Sequence, residues 1–277
     1  MKLIKRASQI LSERGIETPR LDAELLMCHL LNWENRVKLY TNYDKPLSEI
    51  EVERYRQMIK RRVKGEPVAY ITGKKEFFGL QFKVTKDVLI PRPETELLVE
   101  HTLEIAEKIK DTFLKIVDVG TGSGCIIITI AKLLKKKAEF FATDISEKAL
   151  NVAKENAKIH NVNIKFFKTD IMENLNETFT IVVSNPPYIP FKDRRVEKNV
   201  IKYEPHTALY GGEKGTEVIE KLSQQAYKKL KPGGYLIVEF GEGQGNMVEK
   251  IFKDTGFKNI KIIKDLSGKE RVISGEK

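Results

Sequence analysis

The sequence predicts an α/β fold. A doubly wound, seven-stranded, mostly parallel sheet ends in a C-terminal antiparallel hairpin, and a small helical bundle precedes it, joined by a β-hairpin. Three observations lead there. From Lys115 onward, apolar runs of strand length alternate with long helical periodicities. The last two strand runs are separated only by Asp265-Leu266-Ser267-Gly268-Lys269, too short for a parallel crossover. Residues 1–75 carry helical stripes and no strand pattern.

Taken in order, Ile4, Ala7, Ile10 and Leu11 mark the apolar face of a first helix, which Gly15 ends. Thr18-Pro19 reads as an N-cap followed by proline at the first helical position. Leu21, Leu25, Leu26, His29 and Leu30 continue as the next stripe. Ser48-Glu49-Ile50-Glu51 is a capping box, opening a helix with Val52, Tyr55, Met58, Ile59 and Val63 inward and Gly65 at its end. Residues 76–90 change period: Phe82, Val84, Val88 and Ile90 alternate around Thr85-Lys86-Asp87, which suggests a hairpin. From 91 to 277 the large domain begins with a helix from Pro91-Arg92-Pro93 to Ile109. Strands follow at 115–119, 138–143, 164–168, 179–184, 234–240, 258–264 and 270–274, and helices at 124–136, 146–159, 215–230 and 244–255. A chain of 277 residues suits one such domain with a small partner.

The most informative motif is Asn185-Pro186-Pro187-Tyr188. Two prolines cannot continue a strand ladder, so the chain leaves the sheet stiffly at its carboxyl edge, where open α/β sheets bind ligands. The Asn185 amide oxygen and the Pro186 carbonyl are acceptors, and Tyr188 is a flat face. Together with Pro187 they suit a planar –NH2 group on an amide or a nucleobase.

Ile116-Val117-Asp118-Val119-Gly120-Thr121-Gly122-Ser123-Gly124 runs an apolar strand into a glycine loop, with a helix from Cys125. The spacing is G-x-G-x-G, not the G-x-G-x-x-G of nicotinamide sites, and no P-loop lysine follows. In this form the loop resembles one that wraps the methionine end of S-adenosylmethionine, with Gly120, Thr121, Gly122, Ser123 and Gly124 as contacts. Asp144 ends the next strand about 20 residues on, where an acid binds ribose hydroxyls. Ser146 can cap the following helix and leave Asp144 free. Asp170 closes the third strand and could accept from an adenine amine, with Ile171 packing on the ring. Asn185 is placed among the cofactor contacts too.

Further segments recur in one order with these: Gly65-Glu66-Pro67-Val68-Ala69-Tyr70-Ile71, Ile90-Pro91-Arg92-Pro93-Glu94-Thr95-Glu96, Glu204-Pro205-His206-Thr207-Ala208-Leu209 and Lys231-Pro232-Gly233-Gly234. Over essentially the whole chain the set resembles the protein-(glutamine-N5) methyltransferases that modify peptide chain release factors, the HemK/PrmC family. The resemblance implies a class I S-adenosylmethionine-dependent methyltransferase fold with S-adenosyl-L-methionine as cofactor. Its implied substrate is the glutamine of the Gly-Gly-Gln motif of class 1 release factors. Asn185, Pro186 and Tyr188 would be catalytic, and the bundle would help recognise the substrate. A glutamine methyltransferase of a ribosomal protein is the alternative, then a nucleic-acid adenine-N6 methyltransferase.

No run approaches the ~18 apolar residues of a membrane span. The N-terminus turns polar too early for a signal peptide, and Cys28 and Cys125 have no metal-ligand spacing. A cytoplasmic, disulfide-free protein without membrane partners is expected. The formal charge of +10 attracts acidic partners or reflects a lysine-rich proteome. Without a segment rich in both basic and aromatic residues, no stable nucleic-acid binding is expected. Arg92 could reach the cofactor carboxylate or lie on the surface. Glu204 and His206 read as a loop folded over the pocket. Cys125 could be mildly activated at its helix N-terminus or simply pack there. Glu239 reads as structural.

Overall fold

A computed structural model describes all residues from 1 to 277. In chain order the elements are α1 (Lys2–Glu13), α2 (Pro19–Leu30), α3 (Val37–Thr41), α4 (Glu49–Val63), α5 (Val68–Thr72), β1 (Lys74–Phe77), β2 (Leu80–Lys83), α6 (Glu96–Lys108), β3 (Phe113–Val119), α7 (Cys125–Leu133), β4 (Lys137–Asp144), α8 (Glu147–Ile159), β5 (Ile164–Lys168), β6 (Phe179–Ser184), β7 (Ile189–Pro190), α9 (Lys198–Tyr203), β8 (Tyr210–Gly212), α10 (Glu217–Lys229), β9 (Leu230–Glu239), α11 (Gly245–Thr255), β10 (Lys258–Lys264) and β11 (Glu270–Glu276). They form two units. One is Met1–Lys74 with Lys198–Tyr203, the other Lys75–Glu197 with Glu204–Lys277.

The helical unit packs Ile4, Ala7, Leu11, Ala23, Leu26, Tyr55 and Ile59 into one core. The capping box of α4 is present, with Ser48 Oγ accepting from the Glu51 amide at 3.3 Å. Thr18 does not cap α2; its hydroxyl donates to Asp22 at 2.9 Å instead. The α2 stripe is also rotated from the expected one. Leu21 and Leu25 are exposed, as is Ile10 on α1, while Asp22 and Glu24 are buried. Polar residues hold those inward positions because each has partners. Asp22 pairs with Arg62 at 2.7 Å, and Glu24 takes Arg20, Arg36 and the Tyr40 hydroxyl. Arg62→Ala would strand the Asp22 carboxylate. A loss of about 3 kcal/mol in unfolding free energy is expected; an unchanged denaturation midpoint would contradict it. The α9 segment, distant in sequence, joins this unit through a Tyr203 hydroxyl bond to the Lys64 carbonyl at 2.9 Å.

The second unit is built on a seven-stranded sheet in the order β5-β4-β3-β6-β9-β11-β10. β11 is antiparallel to both neighbours, and the other pairings are parallel. The central strands β3, β6 and the second half of β9 are buried on both faces, so they read as continuous apolar runs, whereas the edge strands β5 and β10 are partly exposed. Ile116, Ile181 and Val183 join α6 and α7 in one core, whereas Val117, Val119 and Val182 join α10 and α11 in the other. Strand order reverses between β3 and β6, and Val119 is in register with both Thr143 and Ser184. The carboxyl ends of three strands therefore stop level with one another at the switch point, where such sheets bind ligands.

The hairpin is real but displaced. β1 and β2 are joined through Phe78 and Gly79, both at positive φ (53° and 72°), as a two-residue turn with two left-handed positions requires. Phenylalanine is an unusual occupant; its amide donates to Glu96 at 2.8 Å. Thr85 to Val88 form a separate turn, in which the Asp87 amide donates to the Thr85 hydroxyl. Val84, Val88 and Ile90 are buried without being a strand, and that burial mimics the alternation.

In the basic runs Lys135-Lys136-Lys137 and Lys60-Arg61-Arg62, Lys136, Arg61 and Arg62 are bonded within the fold. Lys136 donates to the carbonyls of Ala106, Glu107 and Ile109 at the end of α6, and Arg61 pairs with Glu66 at 2.7 Å. Helix C-terminal carbonyls favour such a cation.

Candidate active site

The glycine loop leaves β3 and folds back on β4, with the amides of Gly120 and Thr121 both donating to the Thr143 carbonyl at 2.9 Å. Gly120 and Gly122 have φ of 72° and 54°, and a Cβ on either would meet no protein atom within 4 Å. Both line a cavity of about 360 Å³, in the range of small-molecule sites. The loop is a cradle whose empty side faces that cavity.

Of the residues expected to touch a cofactor, Gly120, Thr121, Gly122, Ser123, Asp144, Asp170, Ile171 and Asn185 line this one cavity. Gly124 does not. A Cβ there would come within 2.9 Å of Ile128 and 3.3 Å of Ala153, so its glycine serves the packing of α7 on α8. Asp144 is not the free acid expected. Its carboxylate accepts from the amides of Gly122 at 3.0 Å and Ser146 at 2.9 Å. Ser146 does cap α8, accepting from the Ala149 amide. Each Asp144 oxygen keeps lone-pair capacity for a hydroxyl. Burial raises its pKa, and amide hydrogen bonds from Ser146, Gly122 and Ile145 oppose the rise. Asp170 is paired with Lys221 at 2.5 Å, so an adenine amine would share it. Ile171 holds a φ of 57°, rare for a β-branched residue, and its carbonyl accepts from the Thr143 hydroxyl at 2.8 Å.

Asn185 follows β6 directly. Its Nδ2 donates to Thr95 Oγ1 at 3.1 Å, which leaves Oδ1 uncommitted. Pro186 and Pro187 line the same cavity; Tyr188 is not in its wall. Tyr188 is half-buried against the second core, and its hydroxyl donates to Glu239 at 3.3 Å. Burial and the Glu239 charge push its phenol upward. Glu239 ends β9, is almost fully buried, and is pushed up to about 7 by desolvation, with Thr95 and Tyr188 hydroxyls opposing.

Sequence reasoning assigned no role to Thr95, although it quoted the segment. Thr95 sits in the 3-10 turn Pro93–Thr95 ahead of α6 and lines the cavity. The signal available was its place three residues after Arg92 in a proline-flanked hinge. Arg92 also lines the cavity, but its guanidinium is taken by Glu204 at 2.5 Å, and Glu204 further accepts from the Ile90 amide. Pro205, Thr207 and Ala208 complete that wall, so this segment does lie over the pocket. Cys125 lines the same cavity, and burial pushes its thiol up to about 12, the opposite direction from activation.

Asp118, in β3 just before the loop, is fully buried and accepts from the Thr121 hydroxyl at 2.7 Å. Desolvation lifts it from 3.8 to about 7. The folded chain thus favours its protonated form, and the stability this confers is complete below about pH 4 and lost as pH rises through about 7. Asp118→Asn removes that loss. The melting temperature of the variant minus that of the wild type is expected to climb between about pH 5 and about pH 8; a constant difference would contradict it.

S-adenosylmethionine fits what is present. The glycine loop, Asp144, Asp170 and Ile171 line one cavity and would hold it there.

Comparison with known proteins agrees. Residues 2–73 match the PrmC N-terminal domain model and residues 93–213 the methyltransferase small domain model. A release factor glutamine methyltransferase from Koribacter versatilis is 41% identical over 94% of this chain and 92% of its own. Counterparts from Geobacter sulfurreducens and Leptospira interrogans are 40% and 41% identical, over 96% and 99% of this chain and 92% and 96% of theirs. Among solved structures, a methyltransferase from Pyrococcus furiosus aligns with a TM-score of 0.54 at 20% identity, covering 80% of this chain and 97% of that one. The hMettl16 catalytic domain aligns at 0.57 and 18%, covering 83% and 82%. Those two show the methyltransferase fold, and the near-full-length relatives establish that this chain belongs to the release factor glutamine methyltransferase family.

Proposed function

We propose that this protein methylates the side-chain amide nitrogen of the glutamine in the Gly-Gly-Gln motif of class 1 release factors. S-adenosylmethionine is the methyl donor and supplies an electrophilic methyl group when bound. The observation that supports this best is the state of Asn185. Its amino group is committed to Thr95, so its free oxygen is an acceptor at the edge of the cofactor cavity.

An amide nitrogen is a poor nucleophile, because its lone pair is delocalised into the carbonyl. Asn185 Oδ1 and the Pro186 carbonyl each accept one N–H of the substrate amide. Held so, the nitrogen presents its lone pair along the line of attack and rehybridises more readily. Placement and electrostatics then supply most of the acceleration. Tyr188, half-buried outside the cofactor cavity, is assigned the flank of the amide slot on the protein-substrate side. No separate general base is required before transfer, since the methylated nitrogen sheds its proton readily. The helical unit is assigned to holding the release factor; its support is the family match over residues 2–73. A cytoplasmic setting follows from such a substrate.

The test is methyl transfer from labelled S-adenosylmethionine to a purified class 1 release factor beside its Gly-Gly-Gln Gln→Ala variant. Label on the first alone is expected. Equal label on both, or none on either with the cofactor bound, would overturn the assignment.

A further inference from the structure

The helical unit carries a groove of about 650 Å³ between α1 and α4, and none of its lining residues belongs to the cofactor cavity. Leu3 and Ile10 of α1 and Val63 of α4 give it an apolar surface, together with the more deeply buried Ala7 and Ile59. Cations flank that surface from both helices. Arg6 and Arg14 come from α1 and its end, and Arg56, Lys60, Arg61 and Lys64 from α4 and its end. No carboxylate lines the groove. Elsewhere in this unit cations meet acids, as Arg62 meets Asp22, and Arg20 and Arg36 meet Glu24. Arg61 is drawn to Glu66 and Arg56 to Glu53. Arg6, Arg14, Lys60 and Lys64 have no carboxylate within ion-pair distance.

We propose that this groove docks an acidic amphipathic helix of the release factor, outside its Gly-Gly-Gln loop. An apolar surface between two rows of cations is the complement of an apolar stripe between two rows of carboxylates. Arg6 and Arg14 are eight residues apart, as are Arg56 and Lys64, so each row runs about 12 Å along its helix. That span is a little over two helical turns. A partner helix repeats its side chains on one face at i, i+4 and i+7 or i+8, which places carboxylates opposite each row while its apolar stripe enters the groove. A nucleic acid is a poorer match. Single strands are held on aromatic faces, and the only aromatic residue lining the groove, Tyr55, is about 2% exposed with its hydroxyl bonded to the Ala23 carbonyl. A duplex would use the cations for its phosphates and leave the apolar surface without a role. A compact anion needs cations that converge on one point, whereas these are strung along two helices. Rows of charge speed encounter and fix register, which suits an enzyme that must find a protein substrate. The inference rests on the release-factor reading of that substrate and names the face of the helical unit that holds it.

The experiment measures release factor methylation by the full chain carrying Arg6→Glu with Lys60→Glu. Lys5→Glu with Arg54→Glu is the control, on the same helices and with the same change of charge, neither residue lining the groove. At low salt the groove pair is expected to raise KM for the release factor about tenfold and the control pair less than about twofold. The milder Arg6→Gln with Lys60→Gln should raise it about threefold. In all of them kcat at saturating release factor, and cofactor affinity by calorimetry, should stay within about twofold, which also shows that they fold. The excess KM of the groove pair should shrink in high salt, where screening removes the attraction from the wild type as well. A benzophenone attached at Ile10→Cys is expected to cross-link to an acidic helix of the release factor, since Cys28 and Cys125 are buried and stay unlabelled. Unchanged KM in the groove pair, an equal rise in the control pair, or cross-links confined to a segment that is not acidic would overturn the proposal. Loss of affinity for a structured RNA with KM intact would overturn it too, making the groove a nucleic-acid site. Absence of wild-type turnover on the release factor counts against the proposed function, and the cross-link then decides the groove by itself.

Discussion

Asn185→Ala is expected to cut kcat by roughly 10²–10³ while leaving cofactor affinity within about twofold. The reasoning is geometric. Asn185 stands at the end of β6, where its amino group is anchored on Thr95 and its oxygen is free. An acceptor held in place before the substrate arrives costs no reorganisation during the reaction, which is where preorganised groups gain their leverage. Alanine removes the acceptor and the anchor together. It leaves the glycine loop and Asp144, on β3 and β4, untouched. Single-turnover methyl transfer with saturating cofactor reads the loss, and calorimetry reads the binding. Full activity in this variant would end the assignment of Asn185.

Asp144→Ala should do the reverse, weakening cofactor binding roughly 10- to 100-fold with a smaller effect on kcat at saturation. Two contributions add here. The carboxylate is the acceptor for ribose hydroxyls, and its two oxygens already tie the amides of Gly122 and Ser146. Removing it therefore frees the loop that forms the cradle as well as deleting a contact. Asp144→Asn separates them, since one oxygen remains to accept while the other becomes a donor facing an amide. Calorimetry on the three proteins should rank affinity as wild type, asparagine, alanine. Equal affinities would remove Asp144 from the ribose role.

Reading the chain forward, the large domain was legible because its signals are local. Strands buried on both faces are unbroken apolar runs, and each glycine or proline that ends them has a backbone reason. The hairpin was misplaced because its turn uses Phe78, a residue no turn preference would choose, while Val84, Val88 and Ile90 alternate for reasons of burial alone. The α2 stripe was rotated for a related cause. A pattern built on apolar residues cannot register Asp22 and Glu24 as interior, because what permits their burial is an arginine 40 residues away in one case and three separate partners in the other.

The sequence by itself determined the fold class, the family and the residues of both motifs, since each rests on residue type and short spacing. It could also place the glycine loop, Asp144 and Asn185 at strand ends. The tertiary structure decided what each of them is bonded to. It put Gly124 into helix packing, Arg92 onto Glu204 and Asp144 under two amides. It brought Thr95 to Asn185 and Glu239 to Tyr188, from two separate segments onto one motif. The physical reason is that a hydrogen bond is a relation between positions in space. Spacing along the chain reveals which groups can donate or accept, and only the register of β3, β4, β6 and β9 settles which of them meet.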